Sequence, residues 1–251
     1  MNNLARQYSM IGRDKEAVEL YQRSIKLNPD YAEAYNNLGV VLADMGRNDE
    51  AIDAYKMALK IDPKFVGAYA NLGNSLNKAG KATDAIDALK LAINIKPDPS
   101  AYNNLAMVYR DKKEYDLAVD ALQKAAAIDP NNIIINFNLG NTCAAAGKVQ
   151  EAIKAYRRVT EIKPDSAYAY NNIGYLLKGL GENDEAIKDF NIALKINPQM
   201  PEAYANLVLT YLNGGNIPKA KEVYNNALQA DPSHAALYSK LLDDIHRLEG
   251  Q

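Results

Sequence analysis

Hydrophobic positions in this chain recur with the spacing of short helices that are interrupted at regular intervals. In one stretch, Tyr35, Leu38 and Leu42 fall on a single helical face. Gly46 interrupts this pattern, and a second amphipathic stretch follows before Pro63 ends it. The stretch therefore predicts two short antiparallel helices that are joined by a tight turn.

The same pattern returns along the chain with a period of about 34 residues, which is typical of helical repeats. Its clearest marker is the proline that ends each second helix. These prolines are Pro29, Pro63, Pro97, Pro130, Pro164, Pro198 and Pro232. A unit of this size cannot bury its own apolar face, because chains below about 40 residues lack a sufficient core. The repeats must therefore stack on one another, and the chain is predicted to be a solenoid.

Small residues also hold fixed places in each repeat. Gly39, Ala51 and Ala58 stand where two helix backbones would approach closely, and Gly73 and Ala85 repeat the pattern in the next unit. Combined with the aromatic, leucine and proline positions, this arrangement resembles the tetratricopeptide repeat family, whose pattern has the same residue types in the same order. The resemblance covers essentially the whole chain.

The resemblance implies an all-α fold, a right-handed α-solenoid of about seven helix-turn-helix units with a C-terminal capping helix. It divides the sequence into an array over residues 1–232, whose first unit is clipped at its N-terminal side, and a capping helix over residues 233–251. Two places depart from the pattern. The linker at Asp98 and Pro99 is one residue short, and Asn136 stands where the other units have a tyrosine. We expect the junction at Asn136 to be the least regular in the array.

Composition narrows the choice of partners. With 29 Lys and Arg against 31 Asp and Glu, the net charge is −2, so no overall positive field exists to attract nucleic acid. No apolar run approaches the roughly 18 residues of a spanning helix, so no membrane insertion is expected. The one cysteine, Cys143, excludes an internal disulfide framework and favours a cytoplasmic location.

An asparagine stands two residues after the leading aromatic position of every complete first helix. This row consists of Asn37, Asn71, Asn104, Asn138, Asn172 and Asn206. Asparagine is a middling helix former, so helix propensity does not explain its use at one position six times. Its carboxamide offers one acceptor and two donors, which match the polar groups of a peptide backbone. We therefore predict that the row binds extended peptide segments with little dependence on their side chains.

The family resemblance places the first helices on the inner, concave wall, and the row is similar to the asparagine ladder in the repeat domain of O-GlcNAc transferases. An alternative is that these amides tie neighbouring first helices together or cap the local backbone, with no ligand involved. A clamp for the carboxylate tails of chaperones would need Lys or Arg on the same wall. The positions that flank the row, among them Glu33, Val40, Asn74 and Asn141, contain no cation. We therefore expect peptide affinity to change little with salt.

Four apolar residues in the middle-late part of the array are candidate anchors for specific side chains. They are Ile134 and Phe137 on one first helix and Tyr168 and Tyr175 on the next. Asn141, on the same helix as Phe137, is a further candidate for contact with the peptide. Packing is an equal alternative for Phe137, because its ring could fill the space left where Asn136 replaces an aromatic residue.

Catalytic chemistry finds little support in the sequence. The histidines, His234 and His246, lie near the C-terminal end, and Cys143 occupies a core-facing position. No phosphate-binding loop or metal-binding motif occurs, so we expect no enzyme activity, cofactor or metal. Three hypotheses follow: a scaffold that binds extended peptide segments of partner proteins, the substrate-recruiting arm of a larger enzyme such as a glycosyltransferase, and a self-assembling scaffold similar to repeat proteins that coat bacterial organelles.

Overall fold

The computed structural model describes residues 1–249, and all regular structure in that range is helical. The helices of the N-terminal half are α1 (Asn2–Met10), α2 (Asp14–Leu27), α3 (Ala32–Asp44), α4 (Asn48–Ile61), α5 (Val66–Lys78), α6 (Ala82–Ile95), α7 (Pro99–Asp111) and α8 (Tyr115–Ile128). Those of the C-terminal half are α9 (Ile133–Ala145), α10 (Val149–Ile162), α11 (Ala167–Gly179), α12 (Asn183–Ile196), α13 (Pro201–Asn213), α14 (Ile217–Ala230) and α15 (Ala235–Glu249), with a 3-10 turn at Pro232–His234 before α15. Seven helical pairs and one further helix confirm the predicted all-α solenoid.

In the pairs that have glycine at the crossing position, the first helix lies closely against the second because that position is small. A Cβ atom added to Gly39 would come within 2.5 Å of the Tyr55 ring, and one added to Gly174 would come within 2.8 Å of the Phe190 ring. Both distances are shorter than van der Waals contact, so these positions exclude a side chain. The sequence-based prediction that residue size is selected at the crossing of the two helices is thus confirmed.

The turn between paired helices uses a left-handed backbone residue. Glycine fills this place in six repeats, as at Gly46, where φ is 77°. Lys113 takes the same conformation in the remaining repeat, with φ of 62°. A residue with a Cβ is less stable there than glycine.

The chain forms two compact units, Met1–Pro130 and Asn131–Gln251. In the first unit, helices α1 to α7 contribute to a continuous apolar core that includes Tyr21, Tyr55 and Leu89. In the second unit, α15 packs against α13 and α14. The boundary between units falls just before Asn136, at the junction that the sequence marks as irregular. The division into 1–232 and 233–251 stays a prediction, and residues 250 and 251 lie outside the described part of the chain.

The shortened linker is accommodated by a helix cap. Helix α7 begins directly at Pro99, and the Asp98 carboxylate accepts hydrogen bonds from the backbone N–H groups of Ser100 and Ala101. Proline at the first helical position needs no hydrogen-bond acceptor, so the missing residue leaves the start of α7 fully bonded.

Candidate peptide-binding surface

The asparagine row lies on the first helices, and each of its six side chains is half-buried. Row members are directly followed in the sequence by residues buried in the core, as Leu38 follows Asn37 and Ile173 follows Asn172. The row is therefore at the edge of the core, where an amide can reach both the neighbouring repeat and the surface.

In the first unit the row is hydrogen-bonded between repeats. Asn71 Nδ2 donates to Asn36 Oδ1 over 3.0 Å, and Asn36 Nδ2 donates to Asn37 Oδ1 over 3.3 Å. Asn36 is buried and thus connects the row positions of α3 and α5. One repeat later, Asn104 Nδ2 donates over 3.4 Å to the backbone oxygen of Ala70.

The second unit repeats this arrangement. Asn206 Nδ2 donates to Asn171 Oδ1 over 3.1 Å, and Asn171 Nδ2 donates to Asn172 Oδ1 over 3.5 Å. Asn171 is buried, as Asn36 is in the first unit. The amides thus tie neighbouring first helices together, as the alternative interpretation of the row proposed, and at most part of each amide remains for a ligand.

The buried asparagines at 36 and 171 were missed as structural residues, although the sequence carries a signal for them. Both precede a member of the row, which gives Asn-Asn pairs, whereas Ala70 and Ala205 precede the row in the repeats that follow. The residue that precedes a row member lies beside the row member of the next repeat. An asparagine at that position can therefore accept a hydrogen bond from the next row amide. Where alanine stands at that position, as at Ala70, its backbone carbonyl accepts the hydrogen bond from Asn104 instead.

Three predicted site residues surround a buried tyrosine. The Tyr156 hydroxyl donates over 2.6 Å to Asn141 Oδ1 and is also hydrogen-bonded to Asn172. The Phe137 ring meets the Tyr156 ring edge-on, with centroids 5.4 Å apart. Burial raises the pKa of Tyr156 to about 12, so the hydroxyl stays protonated. Phe137 and Asn141 therefore pack against the buried core of this repeat. For Phe137, this agrees with the alternative that its ring serves packing. A contact of either residue with a peptide stays a prediction.

The other predicted anchors lie on the surface of the second unit. Ile134 on α9 is 67% exposed, and Tyr168 and Tyr175 on α11 are 60% and 57% exposed. The two tyrosines are separated by two helical turns, so they lie on the same face of α11. Exposed aromatic side chains on one face are typical of binding surfaces.

A cation outside the predicted site residues lies beside this face. Lys178 Nζ lies 3.2 Å from Asn206 Oδ1 and 5.0 Å from the centroid of the Tyr175 ring. Its half-buried position lowers its pKa. Lys178 stands six residues after Asn172, beyond the flanking positions, which end three residues after the row. Cations thus stand six residues after a row member at Arg110 and at Lys178, outside the flanking positions, and the weak salt dependence of peptide binding stays a prediction.

Other chemically reactive groups have structural surroundings. Cys143 is fully buried, and burial raises the pKa of its thiol to about 11, so the thiolate is scarce at neutral pH. Within residues 1–249, no three His, Cys, Asp or Glu side chains lie together as metal ligands would. In the same range, no helix combines the length and the apolar character that crossing a bilayer requires.

Family profiles match most of the chain. Tetratricopeptide repeat profiles match residues 32–65 and 167–200, 54–87, 98–165 and 201–234, and a TPR repeat profile matches residues 7–46. The chain belongs to the tetratricopeptide repeat family.

Solved structures of the same fold support this assignment. The MamA protein is 33% identical, with a TM-score of 0.59 over 67% of this chain and 92% of MamA. YrrB, described as a TPR protein with an unusual peptide-binding site, is 24% identical, with a TM-score of 0.60 over 74% of this chain and 96% of YrrB. The C-terminal part of a TPR repeat-containing protein from Cytophaga hutchinsonii is 16% identical, with a TM-score of 0.77 over 97% of this chain and 99% of that one. No curated protein sequence matches the chain.

Proposed function

We propose that this protein is a non-catalytic interaction module that binds extended peptide segments of partner proteins along the exposed face of its first helices. The observation that carries this proposal is the surface of α11. There Tyr168 and Tyr175 stand more than half exposed beside the asparagine row, although neither is needed for the core.

The row contributes contacts to the peptide backbone. Asn71 and Asn104 each donate one N–H group to the preceding repeat, which leaves a second N–H group and the carbonyl oxygen. A peptide N–H group can donate to that oxygen whatever its side chain is. Each such bond contributes about 0.5–1.5 kcal/mol net, and ordering the peptide offsets part of the sum. Broad recognition with affinities in the micromolar range is the expected result.

The exposed aromatic residues contribute the larger part of the affinity. Tyrosine side chains combine apolar area with few rotatable bonds, and aromatic residues dominate the binding energy of many interfaces. Ile134 adds a third exposed apolar side chain in the same unit. We therefore infer that the second unit holds the main anchor points, and that a bound peptide places apolar side chains against them.

Measurement of peptide binding to single variants tests the proposal. A panel of unrelated fluorescent 12-residue peptides is titrated with the natural protein, Tyr168→Ala and Tyr175→Ala. Loss of an aromatic anchor is expected to weaken binding by about tenfold or more. Leu91→Ala is the matched control, because Leu91 is 48% exposed but lies on the second helix α6.

Two results would contradict the proposal. One is the absence of saturable binding for every peptide in the panel. The other is an equal loss of affinity in Leu91→Ala, which would show that no particular face of the repeats is used. Melting curves of the variants separate either result from unfolding.

Self-association is a second candidate, favoured by an apolar patch formed by α1 and the residue that follows it. Leu4, Met10 and Ile11 are 46%, 77% and 68% exposed, and they lie around the half-buried Tyr8. Such patches are typical of interaction sites. Light scattering over a range of concentrations is expected to show a rising mass if copies associate here, and Met10→Glu is expected to abolish that rise. A role as the recruiting arm of a larger enzyme would use the same peptide-binding face.

A further inference from the structure

We propose that Tyr168, Asn172 and Tyr175 on α11 form a subsite for proline-containing peptide segments. This inference rests on the proposed function and names the class of segment that the second unit prefers. It depends on two features of that unit. The row amides present N–H groups to a ligand because their oxygens are occupied, and two exposed aromatic rings lie two helical turns apart.

Lys178 fixes the orientation of the amides in the second unit. An ammonium group can only donate hydrogen bonds, so Asn206 turns its oxygen toward Lys178 Nζ, which lies 3.2 Å away. Asn206 Nδ2 therefore faces Asn171 Oδ1 over 3.1 Å, and Asn171 Nδ2 faces Asn172 Oδ1 over 3.5 Å. A single cation thus sets the direction of a chain of three amides.

The chain of amides continues to the buried Tyr156. The Tyr156 hydroxyl donates its proton to Asn141 Oδ1 over 2.6 Å, so its hydrogen bond with Asn172 uses an N–H group of that amide. Asn172 and Asn206 each keep one further N–H group, while the oxygen of each already accepts a hydrogen bond. A ligand N–H group at Asn206 would share that oxygen with a cation, which repels its positive hydrogen. The surface therefore favours ligand carbonyl oxygens.

Proline is the residue that offers a backbone carbonyl without a backbone N–H group. In a segment of other residues, N–H groups that face these donors would lose water without gaining an acceptor, which is unfavourable. Proline removes the unmatched group and keeps the carbonyl. Proline-rich segments also favour the extended polyproline II conformation before they bind, so less conformational entropy is lost on binding.

The spacing of the aromatic rings matches the repeat of such a segment. Tyr168, Asn172 and Tyr175 follow one another at i, i+4 and i+7, so they form one stripe with the amide between the rings. Seven residues of an α-helix rise about 10 Å, and one three-residue turn of polyproline II rises about 9 Å. Two prolines three positions apart can therefore each contact one ring, while a carbonyl group between them accepts from Asn172.

The first unit contains the equivalent amide chain, which consists of Asn36, Asn37 and Asn71. There Ala43 stands in place of Lys178 and supplies no donor, so Asn71 keeps its oxygen for a peptide N–H group. Glu33 and Val40 stand in place of the two tyrosines. The preference for proline is therefore confined to the second unit.

The test uses four neutral 12-residue peptides with acetylated and amidated ends and no charged side chain. The first carries two prolines separated by two residues, and the second replaces both with alanine. The third replaces both with N-methylalanine, which lacks the N–H group and the ring, and the fourth has the two prolines adjacent. Affinities are measured for the natural protein, Lys178→Met and Lys178→Arg. Lys154→Met, at an exposed position of α10, is the control for loss of charge.

The natural protein is expected to bind the first peptide about tenfold more tightly than the second, with the third and fourth between them. Lys178→Met frees the oxygen of Asn206, so it is expected to bind the alanine peptide more tightly and to reduce the ratio to about threefold or less. Lys178→Arg and Lys154→Met are expected to retain the ratio. A purely structural role of Lys178 would weaken all four peptides alike.

Three results would overturn the subsite while peptide binding itself stands. One is equal affinity of the natural protein for the first and second peptides. Another is an unchanged ratio in Lys178→Met, because the preference then does not come from the oriented amides. The third is an N-methylalanine peptide that binds no better than the alanine peptide, since the missing N–H groups then have no effect. No saturable binding of any of the four overturns the proposed function as well.

Discussion

The two compact units share an arrangement of hydrogen-bonded asparagines but differ in the residues that they expose. In both, a buried asparagine connects two members of the row, Asn36 in the first unit and Asn171 in the second. On helices α3, α5 and α7, Val40 is the large hydrophobic residue that reaches the surface, and it is 36% exposed. In the second unit, Ile134, Tyr168 and Tyr175 are all more than half exposed. The hydrogen-bonded row thus belongs to the repeat architecture, and the aromatic surface varies independently of it.

The largest expected effect concerns the crossing of paired helices. Ala106 in the first unit stands where Gly174 does in the second, with Leu122 and Phe190 at the facing positions. A Cβ atom at Gly174 would lie 2.8 Å from the Phe190 ring. Gly174→Ala is expected to lower the free energy of unfolding by about 2 kcal/mol through overpacking, as measured by chemical denaturation.

Gly179→Ala is the control for that substitution. Gly179 lies in the same helix α11 with open space around its missing Cβ. Alanine there is expected to be neutral or to stabilise by up to about 1 kcal/mol. Equal destabilisation by both substitutions would show that the close helix crossing is not the cause.

The next effect tests the cluster around Tyr156, which the first unit lacks. Tyr156→Phe removes the hydroxyl that bonds to Asn141 and Asn172. We expect a loss of about 1–1.5 kcal/mol in the free energy of unfolding, because two amides lose a partner. Thermal melts of Tyr156→Phe and of the double variant with Asn141→Ala check this. Additive losses in the double variant would contradict a shared hydrogen bond.

A smaller effect is expected at the buried asparagine that connects two row members in each unit. Asn36→Ala and Asn171→Ala each leave a donor of the next row member without its acceptor. Each substitution is expected to cost about 1 kcal/mol, with similar values in the two units. Asn74→Ala, at an exposed position of α5, is expected to have no effect. A cost in only one unit would show that the two arrangements are not equivalent.

The smallest effect distinguishes one turn from the other six. Lys113 has φ of 62° in a place where the other turns have glycine. Lys113→Gly is expected to raise the free energy of unfolding by about 0.5–1 kcal/mol, because glycine adopts this conformation without steric cost. Lys112→Gly, at φ of −78°, is expected to bring no gain. Destabilisation by Lys113→Gly would mean that contacts of the lysine side chain outweigh its backbone strain.

The fold follows from the sequence to a large extent because its determinants are local and repeated. Prolines, turn glycines and small crossing residues recur at one period, so each repeat supports the interpretation of the others. The candidate site follows only in part. Ile134, Tyr168 and Tyr175 are exposed as a binding role requires, whereas Phe137 and Asn141 contact the buried Tyr156.

The sequence by itself determined that the chain is an array of helical pairs and that an asparagine occupies one position of every complete first helix. Only the tertiary structure decided what those amides do, because Asn71, Asn104 and Asn206 find their acceptors one repeat away along the chain. Asn71 reaches Asn36, Asn206 reaches Asn171, and Lys178 reaches Asn206. A helical pattern specifies which face a side chain occupies, but the atoms that meet across two repeats depend on how closely those repeats pack.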